Sequence, residues 1–284
     1  MSRAEPQTVH DVAAFDTPVA ALPMYDLPEL RAANDALWSA IAARLKADGV
    51  RRVPSELTRG LPLEEAWTNP ALLLAQTCGY PLATSLHDRV QLVATPRYRV
   101  PGCEGAFHRS AVVVRDDATA TCLADLRGGR CAINDRASNS GMNLLRVEIA
   151  PLARKQSFFG AVTVTGSHEA SATAVADGDA DVAAIDCVTW AHLQRFRPAT
   201  TKRLRVLMWT VRSPGLPFIT SARTDAATRA ALGLALDAAA RDPALSDVRG
   251  ELMLEGFNAL PASQYHAVLY LEQIATAQGY PRLA

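Results

Sequence analysis

Short apolar runs that alternate with helical segments restrict the fold of this sequence more than any other feature. The runs Leu72–Gln76 and 182–185 are almost entirely apolar, which is typical of strands buried on both faces of a parallel sheet. Between such runs, apolar residues recur at helical spacing, as at Leu37, Ile41 and Leu45. This alternation of strands and helices predicts the α/β class.

The order of the predicted elements indicates two lobes. One strand–helix–strand unit opens the chain, and a second fills about 107–208. The elements that follow are too few to form a sheet of their own, so they are expected to return to the first unit. We therefore predict a first lobe formed by 18–107 and 210–284, a second lobe of 108–209 inserted into it, and a loose N-terminal leader, 1–17. Each lobe should be a mostly parallel sheet flanked by helices, with two hinge crossings between them.

Some local assignments make this outline specific. Residues 53–57 are predicted to form the second strand of the first lobe. Ser167 is expected to cap a helix that ends at Gly178, and Thr224 to cap the Ala- and Leu-rich helix that follows it.

Charge and cysteine content exclude several classes of protein. The chain has 284 residues and a net charge of +0, and its longest basic run is Arg51-Arg52, so no nucleic-acid partner is expected. Its five cysteines form no Cys-x-x-Cys pair, which argues against a zinc site or a disulfide framework and for reduced thiols. Nucleotide-loop, zinc-protease and serine-hydrolase motifs are absent, and we predict no metal, cofactor or catalytic residue.

The N-terminal residues bear on the location of the protein. They contain no apolar segment followed by a small-residue cleavage site, and the chain has no apolar stretch long enough for a transmembrane helix. As written, the chain is expected to be cytoplasmic and not inserted in a membrane. Removal of a native leader would instead make the protein periplasmic.

The polar turn between Ile133 and the next helix is the strongest candidate for a ligand site. Ser138, Asn139 and Ser140 are predicted at the start of this helix, where free backbone N–H groups and the helix dipole favour anions. Gly141 would let a ligand approach the backbone. The alternative is that Ser138 is only an ordinary helix cap.

Other candidate ligand residues also lie where predicted strands end. Ligands of open α/β sheets bind beyond the carboxyl ends of the strands. The candidates at such ends are Tyr25, Gln76, Thr77, His168 and Asp186. For each of them the alternative is a structural role: packing for Tyr25, turn hydrogen bonds for Gln76 and Thr77, and helix capping for His168 and Asp186.

At this point the sequence resembles the phosphate/phosphonate-type solute-binding proteins of ABC transport systems, over about 19–283. The resemblance is carried by segments 22–26, 73–81, 138–143, 165–168, 178–186 and 254–257. It implies a type II periplasmic-binding-protein-like fold and, for an exported protein, an ABC permease partner. In that family a Ser-Thr-Ser-Gly turn grips phosphonate oxygens, and here the corresponding turn is Ser138-Asn139-Ser140-Gly141. The middle hydroxyl is therefore replaced by an amide.

These observations favour a binding protein that closes its two lobes on a small anionic solute such as phosphate, phosphite or a phosphonate. An anion beside Asp186 would need a protonated oxygen, an amino group or an intervening cation. One alternative is a cytoplasmic enzyme on the same scaffold, with His168, Asp186 and Cys78 as acid–base candidates. Another alternative is a cytoplasmic ligand sensor.

Overall fold

The computed structural model describes residues 17–284, so the predicted leader lies, except for its last residue, outside the described residues. The strands are β1 (Val19–Ala21), β2 (Leu72–Gln76), β3 (Val90–Tyr98), β4 (Cys103–Glu104), β5 (Phe107–His108), β6 (Ser110–Arg115), β7 (Arg130–Ile133), β8 (Ala161–Val164), β9 (Val182–Asp186), β10 (Leu204–Trp209), β11 (Ser213–Pro214), β12 (Phe218–Ser221) and β13 (Leu254–Asn258).

Helices lie between most of these strands. They are α1 (Arg31–Ala47), α2 (Leu63–Thr68), α3 (Gly79–Ala83), α4 (Leu144–Ala153), α5 (His168–Asp177), α6 (Cys187–Phe196), α7 (Pro198–Thr201), α8 (Ala226–Arg241), α9 (Ser246–Glu251) and α10 (His266–Ala277). A π-helical turn, Asn139–Asn143, leads directly into α4. Within residues 17–284, no helix is both long and apolar enough to cross a membrane.

The strands form two five-stranded sheets and a small third one. The first sheet has the order β1-β2-β12-β3-β13 and the second β10-β6-β9-β7-β8. We call each large sheet with its flanking helices the first and the second lobe. The small sheet, β11-β5-β4, lies where the chain passes between them. This distribution of strands supports the predicted boundaries of 18–107 plus 210–284 and 108–209, which stay a prediction.

Both large sheets are mixed, so the expectation of mostly parallel sheets is wrong in this detail. The pairs β1–β2, β7–β8 and β7–β9 are parallel, whereas β12, β13 and β6 run antiparallel to their neighbours. Parallel neighbours need a long crossover, but β6 and β12 enter their sheets soon after the chain passes between the lobes. A fully buried strand shows the same apolar run in either direction, so the sequence pattern could not distinguish them.

Each lobe has its own apolar core. In the first, Trp38 and Ile41 of α1 are almost fully buried against the sheet and α8. The second core contains Leu145 of α4 and Phe158. The end of the chain, including Tyr280, packs into this second core, although the predicted boundaries assign it to the first lobe. The reason is that α10 packs along α4 and carries the C-terminus across.

Two local assignments were wrong. Residues 53–57 form no strand, because Pro54 has no N–H to donate to a ladder, and the next residues make only the bond from Thr58 N to Ala20 O. The cap of α8 is Asp225, one residue after Thr224, and its carboxylate accepts from Thr228 N. Ser167 and Gly178 cap α5 as predicted.

Candidate functional site

Asp186 lies at the carboxyl end of β9 and is fully buried between the lobes. Its Oδ1 accepts hydrogen bonds from Val188 N at 2.9 Å and Thr189 N at 3.0 Å, so the side chain caps α6. The same oxygen accepts from the hydroxyl of Tyr25, at 3.0 Å, which comes from the first lobe. His108 Nδ1 lies 2.9 Å from Oδ2. Asp186 therefore fulfils the capping role, and it also joins the two lobes.

Electrostatics keep Asp186 ionised. Burial alone would raise its pKa, but the hydrogen bond and charge of His108 and the amide of Thr189 outweigh burial, and the pKa is lowered to about 2. Burial and the nearby Asp186 carboxylate raise the pKa of Tyr25 well above its usual value. The Tyr25 hydroxyl consequently stays protonated and serves as a donor to a permanent negative charge.

The turn at Ser138 begins a helix, and one of the free amides at this helix start is already capped by the Ser138 side chain. Ser138 Oγ accepts from Gly141 N at 2.9 Å, as an N-cap residue does. A hydroxyl that accepts one hydrogen bond keeps its own hydrogen for another partner. Ser138 is therefore a cap that retains one free donor.

Asn139 brings this turn against the first lobe. Its Nδ2 donates to Ser213 Oγ at 2.9 Å, and its backbone N donates to Cys78 Sγ at 3.3 Å. Asn139 Oδ1 accepts from Asn143 Nδ2 at 3.1 Å, which fixes the orientation of the amide. The turn thus faces an opposing wall formed by residues from both segments of the first lobe.

Ser140 and His168 form a pair within the second lobe. Ser140 Oγ and His168 Nε2 are 3.0 Å apart, and His168 is the first residue of α5. Burial lowers the pKa of His168, although the charge of Asp186 partly offsets the effect. The imidazole is therefore neutral at neutral pH, and it can accept from or donate to Ser140 depending on its tautomer.

Gly141 is required by close packing. A Cβ built at this position would lie 1.8 Å from Asn134 Oδ1 and 3.1 Å from His168 Cε1. No larger residue fits unless Asn134 moves. The glycine therefore lets the strand end after β7 and the start of α5 approach the turn.

Gln76 and Thr77 are buried in the first lobe and hold its loops together. Gln76 Nε2 donates to Leu216 O at 3.1 Å and to the hydroxyl of Tyr98 at 3.3 Å. Thr77 N donates to Pro217 O at 3.0 Å. These contacts match the structural alternative for both residues, and their ligand role stays a prediction.

Sequence reasoning missed two buried polar residues at this edge of the second sheet. His108 Nε2 and Ser110 Oγ are buried, as is Asn134 Oδ1, and none of the three atoms has a hydrogen-bond partner within residues 17–284. Ser110 lies opposite Asp186 in the β6–β9 ladder. Because β6 is antiparallel to β9, its first residue lies at the carboxyl end of β9. The only available signal was a histidine and a serine immediately before a buried apolar run.

The candidate cluster therefore consists of polar side chains from both lobes, and Asp186 is its one carboxylate. Its members are Tyr25, His108, Ser110, Asn134, Ser138, Asn139, Ser140, His168 and Asp186. No lysine or arginine in the described part of the chain makes a hydrogen bond or ion pair with any of them. An unpaired buried polar atom costs about 1–3 kcal/mol, so the unpaired atoms of His108, Ser110, Asn134 and His168 favour occupation of the site by a polar guest.

Solved structures of known proteins share this fold. A Xanthomonas citri protein bound to chloride ion is 17% identical over 92% of this chain and 98% of its own, with a TM-score of 0.70. A binding protein component of an ABC phosphonate transporter from Pseudomonas aeruginosa is 17% identical over 93% of this chain and 88% of its own, at 0.69. PhnD1 from Prochlorococcus marinus MIT 9301, in complex with methylphosphonate, is 15% identical over 90% and 96%, at 0.68.

The sequence comparison places the chain in a family. No curated protein sequence matches it significantly. A family model described as "ABC transporter, phosphonate, periplasmic substrate-binding protein" matches residues 19–265, which is most of the chain. The predicted resemblance and the predicted two-lobe α/β fold are thereby confirmed. The chain belongs to the periplasmic substrate-binding protein family of phosphonate ABC transporters.

Proposed function

We propose that the chain binds a phosphonate or a related protonated oxyanion between its lobes and delivers it to an ABC permease. The observation that carries the proposal is the turn Asn139–Asn143, a helix start that contacts Cys78 and Ser213 across the cleft. Family membership supports a small solute and a permease partner. The complex of PhnD1 with methylphosphonate, from a protein of the same fold, supports a phosphonate.

In this proposal the ligand replaces contacts that the protein now makes with itself. Its oxygens take the free hydrogen of Ser138, the hydroxyl of Ser140 and a nitrogen of His168, near the amides of the helix start. Asn139 bridges to Ser213 and helps to close the lobes around the guest. The proposed site is completed by Tyr25, Gln76, Thr77 and Gly141. Gly141 contributes by letting Asn134 and His168 lie close to the turn.

Removal of the Ser140 hydroxyl tests this arrangement. We expect Ser140→Ala to weaken phosphonate binding by about 1.5–3 kcal/mol, or roughly 10- to 100-fold in Kd, because a donor to a charged group is lost. Isothermal titration calorimetry with methylphosphonate, phosphite, phosphate and sulfate measures the effect. The matched control is Ser157→Ala, which changes an exposed serine. Equal affinities of both variants and the parent would contradict the proposed role of the turn.

Asp186 sets the charge of the preferred ligand. Its carboxylate stays ionised, and among the described residues His108 is its one basic partner. A dianion would therefore approach this carboxylate without a lysine or arginine to offset the added charge. We expect the ligand to carry a proton or an ammonium group toward Asp186. Phosphate monoesters lose their second proton near pH 6, and a phosphonate also has a second proton to lose.

This charge argument predicts the pH dependence of binding. Affinity for methylphosphonate should fall as pH rises through the second ionisation of the ligand, because the added charge faces Asp186. Methanesulfonate is the control ligand, since it has no second proton to lose. Calorimetry from pH 5.5 to 8.5 should show a steeper loss for methylphosphonate. A methylphosphonate affinity that rises over this range would contradict the proposal that Asp186 lies beside the bound ligand.

The enzyme alternative is weakened by Cys78. Burial raises the pKa of this thiol, and its sulfur accepts a hydrogen bond from Asn139 N, so it is not an activated nucleophile. NMR of a bound phosphonate over hours separates the two functions, because only an enzyme would convert the ligand.

We also propose that the protein acts in the periplasm, because its family is a periplasmic one. Osmotic-shock release from the source cells tests this location against the cytoplasmic alternative. Co-purification with an ABC permease on addition of phosphonate tests the partner, whereas ligand-dependent capture of a signalling protein would favour the sensor.

A further inference from the structure

Cys103 and Cys187 are adjacent, although they are far apart in the sequence. Their sulfur atoms are 3.4 Å apart, in van der Waals contact. All five cysteines lie in the described residues, and no other pair of them makes a sulfur–sulfur contact. Cys103 belongs to β4 of the small sheet between the lobes, and Cys187 is the first residue of α6.

The approach of these two elements depends on a glycine. Gly102 has a φ of +93°, and a Cβ there would lie 2.8 Å from Cys187 Cβ and 2.7 Å from the Trp209 ring. Gly102 O also accepts from Arg109 N at 2.9 Å, which holds the turn in place. The backbone before Cys103 is therefore built to lie against Cys187, and the contact is not the chance meeting of two flexible side chains.

We propose that Cys103 and Cys187 form a disulfide. This bond would link the chain next to Asp186, at the proposed ligand site, to the β4–β5 strand pair, which carries His108. Cys187 directly follows Asp186 in sequence, and Cys103 pairs with His108 in the β4–β5 ladder. The bond would thus lock both partners of the His108–Asp186 contact, which is 2.9 Å long. It would also close the long chain segment 103–187 into a covalent loop.

The chemistry is a thiol–disulfide exchange with a small disulfide or a disulfide oxidoreductase. Cys103 is partly exposed and Cys187 fully buried, so Cys103 attacks the oxidant first and forms a mixed disulfide. Cys187 then attacks the Cys103 sulfur and displaces the second half of the oxidant. Two S–H bonds break, one S–S bond forms, two protons leave, and the oxidant takes two electrons and becomes two thiols.

The order of attack follows from the two environments. The hydrogen bond with Cys103, together with burial, raises the pKa of Cys187, so this thiol is a poor first nucleophile. Disulfides form and persist in the periplasm, the compartment of this protein's family. The proposal does not depend on the identity of the ligand.

Peptide mapping of the full-length protein tests the proposal directly. The protein is reduced with dithiothreitol or oxidised with glutathione disulfide, then alkylated with iodoacetamide under denaturing conditions and digested without reductant. We expect the oxidised sample to take two fewer alkyl groups than its five cysteines allow and to yield a linked Cys103–Cys187 peptide. Five alkylated cysteines after oxidation, or linkage of another pair, would overturn the proposal.

Thermal unfolding gives a second readout. Closing a long loop should raise the Tm of the oxidised protein by about 5–15 °C over the reduced one. Cys103→Ser should abolish this difference, whereas Cys122→Ser, at an exposed cysteine outside the pair, should keep it. An oxidised parent without a raised Tm, or a rise that persists in Cys103→Ser, would contradict the proposal that a Cys103–Cys187 disulfide stabilises the fold.

Discussion

At the scale of single residues, the contact between Gly141 and Asn134 offers the sharpest test of the candidate site. A Cβ at position 141 would lie 1.8 Å from Asn134 Oδ1, so Gly141→Ala must displace that side chain or the turn. We expect the free energy of unfolding to fall by about 1–3 kcal/mol. We also expect weaker phosphonate binding, because the displaced turn is part of the proposed ligand site. Urea unfolding and calorimetry measure the two effects.

Two further substitutions make this test specific. Gly233 lies inside α8 with nothing near the position of a Cβ, so Gly233→Ala should stabilise the protein by about 0.5–1 kcal/mol. Adding Asn134→Ala to Gly141→Ala removes the clashing oxygen and should restore part of the stability. If Gly141→Ala binds phosphonate as well as the parent does, the turn is not in close contact with the ligand.

At the scale of helices and strands, the histidine on α6 predicts a dependence of stability on pH. His192 is almost fully buried, neither ring nitrogen has a hydrogen-bond partner within residues 17–284, and burial lowers its pKa to about 4. In the unfolded chain its pKa is about 6.5. The free energy of unfolding is therefore unaffected by His192 above pH 6.5 and falls as pH drops from about 6.5 to 4, by on the order of 3 kcal/mol in total.

His192→Leu should flatten this slope, whereas His266→Gln, at an exposed histidine, should not. His168, whose pKa burial also lowers, keeps some of the slope in the variant. Asp186 contributes only below about pH 4, because its pKa is about 2 in the folded protein. Urea midpoints at several pH values between 4 and 7.5 measure the effect, and parallel curves for parent and His192→Leu would contradict the prediction.

The same scale shows what the sequence could and could not predict. Apolar runs located β2 and β9, and their ends located Asp186, because continuous burial and polar strand ends are local signals. The direction of β12 was not predictable, since burial is the same for parallel and antiparallel strands. The pairing of His108 with Asp186 depends on this kind of topology, so it could not be found from either residue alone.

At the scale of the whole molecule, three of the hydrogen bonds that join the lobes lie at the candidate cluster and form without any ligand. Tyr25 donates a hydrogen bond to Asp186, and Asn139 donates hydrogen bonds to Ser213 and Cys78. The Arg197–Glu29 ion pair also joins the lobes, at a distance of 2.6 Å. The fold family predicted two lobes that close, but the sequence could not reveal that the protein's own side chains hold them together. We expect these hydrogen bonds to compete with the ligand, so that the free protein exchanges between a self-bridged closed form and an open form.

This equilibrium predicts how the size of the particle changes. Removing two bridges with Tyr25→Phe and Ser213→Ala should favour the open form, so the radius of gyration without ligand should exceed that of the parent. A compact chain of this length has a radius of about 19 Å, and saturating phosphonate should bring the variant back toward that value. Small-angle X-ray scattering measures both states, with Tyr270→Phe, at an exposed tyrosine, as the control. If the variant and the parent have the same radius without ligand, the bridges do not set the opening of the cleft, because their loss would then leave the population of open molecules unchanged.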